Sequence, residues 1–262
     1  MESTFEIQSV ALPGQQPSLG ATFIIGRPLV SQPNMSRYVL VTAAHVLEGM
    51  AGDIAILNLR KETKQGEWQK MPTPLQIRNN GRPLWVKHPN ADVAVMYVGL
   101  PDGVVIPLMT TALLADDEML KKFQVHPGDT LLCLGYPFGI ESSQSGFPVL
   151  RSGRIASFPL TPTAQTKTFL FDFAVFEGNS GGPVYMVDRD REYENFIHMG
   201  QTVGLIAGLV SGETTRNEQL AGQYSAEIRR IPLNLATVVH ASFIKEAINM
   251  LPPPDEFPQT SK

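Results

Sequence analysis

The sequence FLFDFAVFEGNSGGPVYMV, residues 169–187, decides the fold. An apolar, aromatic run leads into a serine, Ser180, that lies among glycines, and a second apolar run follows. Runs of this length and composition are typical of buried β-strands. Glycine lets a backbone turn tightly and brings its amide groups close to a bound molecule. The stretch therefore predicts two strands joined by a tight turn that presents Ser180.

Short apolar runs of the same kind recur along the chain. They are ATFIIG at 21–26, YVLVTAAHV at 38–46, IAILNL at 54–59, DVAVMYV at 92–98, TLLCLGY at 130–136 and TVGLIAGLV at 202–210. Clusters of Gly, Pro, Asn and Ser separate them and are typical of hairpin loops. This pattern predicts an all-β fold of barrels or sandwiches. A helix with an apolar stripe is predicted at 241–251, with Ser242 as its cap, and a loose tail at 252–262.

The charge pattern argues against two classes of partner. The chain has 21 basic and 25 acidic residues, and no basic run that could neutralise a phosphate backbone. Its longest apolar run, 203–210, is far shorter than the about 20 residues that a membrane-spanning helix needs. We therefore expect neither nucleic acid nor a membrane as a partner.

Cysteine usage bears on the compartment. The only cysteine, Cys133, lies in an apolar run, where a buried strand residue is expected, and it excludes an intrachain disulfide. The first residues, MESTFEIQSVALPG, lack the pattern of a signal peptide. Together these features favour a reducing compartment, and we expect a cytoplasmic protein.

Three short motifs carry residues that could react. A serine hydroxyl such as that of Ser180 needs a neighbouring base to attack a carbonyl. His45 ends an apolar strand, and Asp92 precedes another, where a carboxylate is costly unless a partner satisfies it. Each motif also has an ordinary structural interpretation: a hydrogen-bonded histidine at a strand end, a turn aspartate, and a Gly/Ser turn.

Together, the motifs around His45, Asp92 and Ser180 resemble the chymotrypsin-like (trypsin-like) serine proteases, in which the three residues follow in this order. The closer likeness is to the disulfide-free HtrA/Deg-like peptidase domain, because Val46 stands where secreted trypsins carry a cysteine. Residues 127–139 and the Gly-Asn-Ser-Gly-Gly loop also resemble that branch. No PDZ domain follows in this sequence, so the peptide-sensing regulation of many HtrA proteins is not expected.

The resemblance implies two antiparallel six-stranded β-barrels with a C-terminal helix. We expect an N-terminal barrel at 1–112 with His45 and Asp92, a linker at 113–126, and a C-terminal barrel at 127–240 with Ser180. Residues 241–251 and 252–262 are the helix and tail already predicted.

The resemblance also implies a serine endopeptidase acting on a protein or peptide. His45 would be the base, Asp92 its orienting acid and Ser180 the nucleophile, with the amides of Gly178 and Ser180 as the oxyanion hole. Ala207 stands where many relatives place Ser or Thr beside the aspartate, so Asp92 is expected to lack one hydrogen-bond donor. The predicted substrate pocket, for a small or medium apolar side chain, contains Ala174, Val175, Leu205, Ala207 and Leu209.

No cofactor is expected, and no histidine has a second ligand at metal-like spacing. A regulatory partner or a homo-oligomer remains open, and the polar loops at 142–146 and 211–223 are expected to be mobile and to order on activation.

Two alternatives differ in fold or in class. The Gly-x-Ser-x-Gly pattern also fits the nucleophile elbow of α/β-hydrolases, with Asp188 or Asp190 and His198 or His240 downstream, but that elbow must lead into a helix, and Pro183 and a strand-like run follow here. The second alternative is a protease-fold binding or regulatory module whose triad residues are latent or inactive.

Overall fold

The structure, a computed structural model, describes residues 1–11, 14, 16–221 and 226–256. It consists of two β units, each built around a hydrophobic core of its own. The runs identified in the sequence supply the buried strands of both cores, because their side chains are apolar on both faces. This mostly β architecture confirms the predicted fold class.

The first unit is one antiparallel sheet of seven strands in the order β5-β4-β1-β2-β3-β9-β8. The strands before the second unit are β1 (Thr4–Ser9), β2 (Leu19–Pro28), β3 (Ser36–Thr42), β4 (Ile54–Lys64), β5 (Glu67–Gln76), β6 (Arg78–Asn79), β7 (Arg82–Pro83), β8 (Val86–Lys87) and β9 (Ala94–Tyr97). β6 and β7 form a separate short hairpin.

The sheet of this unit has seven strands, where six were expected, and its edge strands β5 and β8 are not paired with each other in the described part of the chain. Pro72 and Pro74 lie in β5 and have no amide to donate, so this strand is suited to an edge. β8, only two residues long, adds a short second edge.

The second unit is the closed six-stranded barrel that was predicted, with the order β10-β11-β12-β17-β16-β13. Its strands are β10 (Thr130–Gly135), β11 (Val149–Ile155), β12 (Thr168–Asp172), β13 (Pro183–Arg189), β16 (Thr202–Ala221) and β17 (Ala226–His240). A small hairpin of β14 (Glu192–Tyr193) and β15 (Phe196–Ile197) follows β13. Because β13, and not a helix, follows Ser180, the α/β-hydrolase alternative is excluded.

The long hairpin of β16 and β17 corrects one expectation. Residues 211–221, predicted as part of a mobile loop, continue β16 and pair with β17 as far as Ala221 opposite Ala226. Residues 222 and 223 of that predicted loop lie outside the described residues.

The helices are short: α1 (Ala44–Glu48), α2 (Asp117–Lys122), α3 (Thr163–Thr166) and α4 (Ala241–Met250). The predicted C-terminal helix is confirmed as α4, whose apolar stripe packs on the first core. Ser242 is not its cap, since His240 holds that position and the Ser242 hydroxyl instead donates to Thr163 Oγ1 at 3.0 Å. α2 lies within the predicted linker. The predicted limits of the two barrels stay predictions. In the described residues, no helix has the length and apolar character needed to cross a membrane.

Candidate active site

His45 lies in the one-turn helix α1, directly after β3. Its neighbours Val46 and Leu47 are buried in the first core, whereas about half of the His45 side chain, 47%, is exposed. The buried neighbours fix the helix turn, so the imidazole is held at the surface without being buried itself.

Asp92 holds His45 through two hydrogen bonds. Its Oδ1 accepts the His45 backbone amide at 3.0 Å, and its Oδ2 lies 2.6 Å from His45 Nδ1. A carboxylate can only accept, so Nδ1 carries a proton, and in the neutral ring Nε2 keeps a lone pair. His45 is therefore in the tautomer that a general base needs.

A third donor to Asp92 was missed by the sequence analysis. The Ser211 hydroxyl donates to Asp92 Oδ2 at 2.6 Å. The expectation that Asp92 lacks a donor at Ala207 was therefore wrong, because the residue of β16 that reaches Asp92 lies four positions later. The signal was present in the sequence, since Ser211 is the first polar residue after the apolar run 202–210.

These contacts decide the charge of Asp92. Burial raises the pKa of its carboxyl, but the hydrogen bonds from the His45 ring, the Ser211 hydroxyl and the His45 amide lower it, and the net pKa lies below the ordinary value. Asp92 is therefore a carboxylate at neutral pH, as an acceptor for three donors must be.

The turn before Ser180 requires glycine. Gly178 has φ +89°, and a methyl group there would lie 2.0 Å from the Tyr136 carbonyl oxygen. Gly181 has φ +84°, and a methyl group there would lie 2.2 Å from the Ala21 carbonyl oxygen. Both the backbone conformation and the close approach of neighbouring strands exclude any side chain at these positions.

Some amides of this turn donate to neighbouring carbonyls, and others have no acceptor in the described part of the chain. Asn179 donates to the Phe176 carbonyl at 3.0 Å, Gly181 to that of Val210 at 2.7 Å, and Gly182 to that of Asn179 at 3.0 Å. No such bond involves the amides of Gly178 and Ser180, the two groups predicted to form the oxyanion hole.

Asn179 fixes the turn from inside. Its side chain is 1% exposed, and its Oδ1 accepts the Phe176 amide at 3.0 Å. The turn is thus held in part by a neutral, buried side chain of its own.

Ser180 lies beside the elements that carry His45. Its carbonyl oxygen accepts the Ala21 amide at 2.8 Å, and a methyl group at Gly20 would lie 3.3 Å from that oxygen and 2.6 Å from Val46 Cγ1. Within the described residues, no hydrogen bond joins the Ser180 hydroxyl to His45. The structure therefore brings His45 and Asp92 into contact and places Ser180 next to the same part of the first unit.

The predicted pocket residues separate into two groups. Ala174 and Val175 are half-buried and lie just before the turn. Leu205 and Ala207, 2% and 3% exposed, belong to the second core, and Leu209, 0% exposed, belongs to the first. These three side chains therefore pack in the two cores, and their predicted role in a substrate pocket stays a prediction.

Arg151 is a further residue that sequence reasoning missed. Its Nη1 donates to the Ala174 carbonyl at 2.8 Å, and its guanidinium lies 4.1 Å from the centre of the Phe173 ring and 5.3 Å from that of Phe176. Cation–π contacts of this kind stabilise the segment that leads to the turn. They also place a positive charge behind Ala174.

The loop at 142–146 contacts the first unit. Ser145 Oγ donates to the Trp68 carbonyl at 2.8 Å, and Arg60 Nη1 donates to that of Gly146 at 2.6 Å. The expected ordering of this loop on activation stays a prediction. No group of three or more His, Cys, Asp or Glu side chains in the described residues is arranged to hold a metal ion.

A two-unit β fold with a closed second barrel agrees with the chymotrypsin-like fold predicted from the sequence. The family model of the trypsin-like peptidase domain matches residues 20–191, and the chain belongs to that family.

A curated relative is a probable periplasmic serine endoprotease, DegP-like, from Marinomonas sp. (strain MWYL1). It is 28% identical over 195 residues, which cover 72% of this chain and 32% of the relative. The chain thus spans about a third of the length of that relative. Among solved structures, the Rv3671c protease from M. tuberculosis in its active form matches with a TM-score of 0.47 and 19% identity, over 100% of this chain and 84% of that one. The predicted likeness to the HtrA/Deg-like branch is confirmed by the DegP-like relative.

Proposed function

We propose that the chain is a serine endopeptidase that hydrolyses peptide bonds through His45, Asp92 and Ser180. The observation that carries the proposal is the His45 tautomer: Asp92 occupies Nδ1, so Nε2 can accept a proton from a neighbouring hydroxyl. Ser180 would attack the carbonyl carbon of the substrate while His45 takes its proton. The amides of Gly178 and Ser180 would stabilise the oxyanion of the tetrahedral intermediate.

In the second half of this step, His45 would return the proton to the leaving amine, and the acyl group would stay on Ser180. Water would then attack the acyl-enzyme, with His45 again as the base. Asp92, a carboxylate with three hydrogen bonds, would stabilise the imidazolium formed in each half-reaction without taking the proton itself.

Labelling with a fluorophosphonate tests the proposal, since only an activated serine reacts with this probe. We expect the purified chain to be labelled at Ser180, as located by mass spectrometry, and the Ser180→Ala variant to be unlabelled and inactive on a protein substrate. A chain that is folded, unlabelled and inactive would favour the binding or regulatory module. Unchanged proteolysis by the Ala variant would overturn the role of Ser180.

We also propose a preference for a small or medium apolar residue before the scissile bond. Ala174 and Val175 offer apolar surface next to the turn, and the guanidinium bound to the Ala174 carbonyl repels a basic side chain. Profiling with a peptide library should show cleavage mainly after Ala, Val or residues of similar size. A profile dominated by Arg, Lys or Glu would contradict this preference.

A further inference from the structure

Phe138 has a backbone conformation that is unfavourable for its side chain. It lies in the short turn Pro137–Gly139 with φ 54°, and the residue is 64% exposed. For a bulky residue the left-handed region is costly, and such a conformation persists only where its surroundings hold it. Burial of the side chain is small, so the contacts that the segment makes with its neighbours must provide that hold.

Those contacts are made with the oxyanion turn. The Phe138 amide donates to the Glu177 carbonyl at 2.7 Å, and the Tyr136 amide donates to the Gly178 carbonyl at 3.1 Å. In addition, the Phe138 ring lies 5.1 Å from that of Phe176. The segment around Phe138 thus binds the carbonyl groups of two consecutive peptides, Glu177–Gly178 and Gly178–Asn179.

The hydrogen bond from the Phe138 amide fixes the orientation of the Glu177–Gly178 peptide. With φ +89° at Gly178 and a hydrogen bond from the Asn179 amide to the Phe176 carbonyl, residues 176–179 form a type II turn. In a type I turn the central peptide would be reversed, with the Gly178 amide facing away and the Glu177 carbonyl in its place. That reversal would break the bond from the Phe138 amide.

The segment cannot simply follow such a reversal, because Tyr136 anchors it. Tyr136 is 0% exposed, and its hydroxyl donates to the carbonyl of Thr4 or Gly146, each at 3.1 Å. Arg60 Nη1 donates to the same hydroxyl at 3.2 Å. The turn at Phe138 therefore has a fixed base in the buried contact between the two units.

We infer that Phe138 is a positioning residue: its left-handed backbone holds the Glu177 carbonyl so that the Gly178 amide faces the substrate. The catalytic part of this inference rests on the proposed peptidase function, since it concerns one donor of that oxyanion hole. The orientation of the Glu177–Gly178 peptide does not depend on it.

Three substitutions separate the backbone from the ring. Phe138→Gly, Phe138→Asn and Phe138→Val all remove the ring, but Gly and Asn accept a left-handed conformation and the β-branched Val does not. We expect the Val variant to lose about 10- to 100-fold in kcat, since loss of one oxyanion donor costs about 100- to 1,000-fold when complete. Its KM should change less than about threefold, while the Gly and Asn variants keep kcat within about threefold of the parent chain.

An equal loss in all three variants would show that the ring, not the backbone, matters, and a Val variant with full kcat would also overturn the inference. Crystal structures of the variants add a measurement that is independent of turnover. Gly178 should keep a positive φ in the Gly and Asn variants and lose it in the Val variant. A positive φ in the Val variant would refute the positioning role even if the chain proved not to be a peptidase. Absence of Ser180 labelling in the parent chain would count against the proposed function alone.

Discussion

His45 and Asp92 are joined by side-chain hydrogen bonds, whereas the turn at Gly178 is held mainly by backbone groups. The first arrangement needs particular functional groups: an imidazole, a carboxylate and the Ser211 hydroxyl. The second needs the absence of side chains, because neighbouring carbonyls approach Gly178 and Gly181 to within about 2 Å of where a methyl group would be. The His45–Asp92 pair thus depends on the presence of functional groups, and the turn at Gly178 depends on the absence of side-chain atoms.

This difference predicts how the His45–Asp92 pair and the turn at Gly178 should each respond to substitution. Removing a functional group from the His45–Asp92 pair leaves the backbone in place, so chemistry should be lost while the fold survives. Adding atoms to the turn displaces the backbone itself, so geometry and stability should change together. The predictions below set these two responses against each other.

The largest effect is expected for His45→Ala. Without the base, kcat should fall on the order of 10⁴- to 10⁶-fold, as in other enzymes that use this mechanism. Nearly half of the side chain is exposed, so the thermal unfolding midpoint should change little. Steady-state kinetics and calorimetry on the same preparation would test both statements. Residual activity within tenfold of the parent chain would remove His45 from the mechanism.

The turn should respond differently to Gly178→Ala. The added methyl group would lie 2.0 Å from the Tyr136 carbonyl oxygen and 2.6 Å from Leu19 Cδ1, so the peptide must move and its amide is lost as a donor. We expect kcat to fall about 100- to 1,000-fold and the unfolding midpoint to fall as well.

Gly66→Ala is the matched control for this variant. Gly66 also has a left-handed φ, +80°, but a methyl group there would have no neighbour within 4 Å. Alanine at Gly66 therefore has the conformational cost of a left-handed residue, but its methyl group does not collide with a neighbouring atom. If both variants lost activity equally, crowding at Gly178 would not be the cause.

The two parts of the site also differ in how far the sequence predicts them. The motifs around His45, Asp92 and Ser180 are short and can be recognised locally. The glycines beside Ser180 directly predict a tight turn. Ser211 lies 119 residues from Asp92, and its contact depends on the length and register of β16, which shifts at irregular pairs near Val210 and Glu213. A short sequence pattern does not predict such changes in strand register.

The same limit explains where the observed strands differ from the expected ones. The closed second barrel follows from continuous apolar runs, but the seventh strand of the first sheet, β8, is two residues long and has no pattern of its own. The polar residues at 211–221 form a strand because they pair with β17 beyond the barrel, where neither face needs to be apolar. Tertiary pairing decides such segments.

Ser211→Ala should give a smaller effect than either change above. Asp92 would keep both bonds to His45 and lose one donor, so we expect kcat to fall about tenfold, with KM nearly unchanged. Ser211→Thr retains a hydroxyl and should recover most of the loss. If Thr failed to restore kcat while the fold was intact, the position of the hydroxyl, and not its presence, would be the requirement.

The smallest expected effect is the pH dependence of stability in the same variant. The Ser211 hydroxyl helps to lower the pKa of Asp92 in the folded chain, so the unfolded chain takes up this proton at a higher pH than the folded one. The stability from this bond, about 1 kcal/mol, is therefore complete above the unfolded pKa near 4 and is lost as the pH falls through the folded pKa. Urea unfolding from pH 7 to pH 2 should show the parent chain more stable than Ser211→Ala at neutral pH and the two curves converging in acid. Other carboxyls titrate alike in both chains and cancel in the difference. A difference independent of pH would mean that Ser211 stabilises the fold without acting on the charge of Asp92.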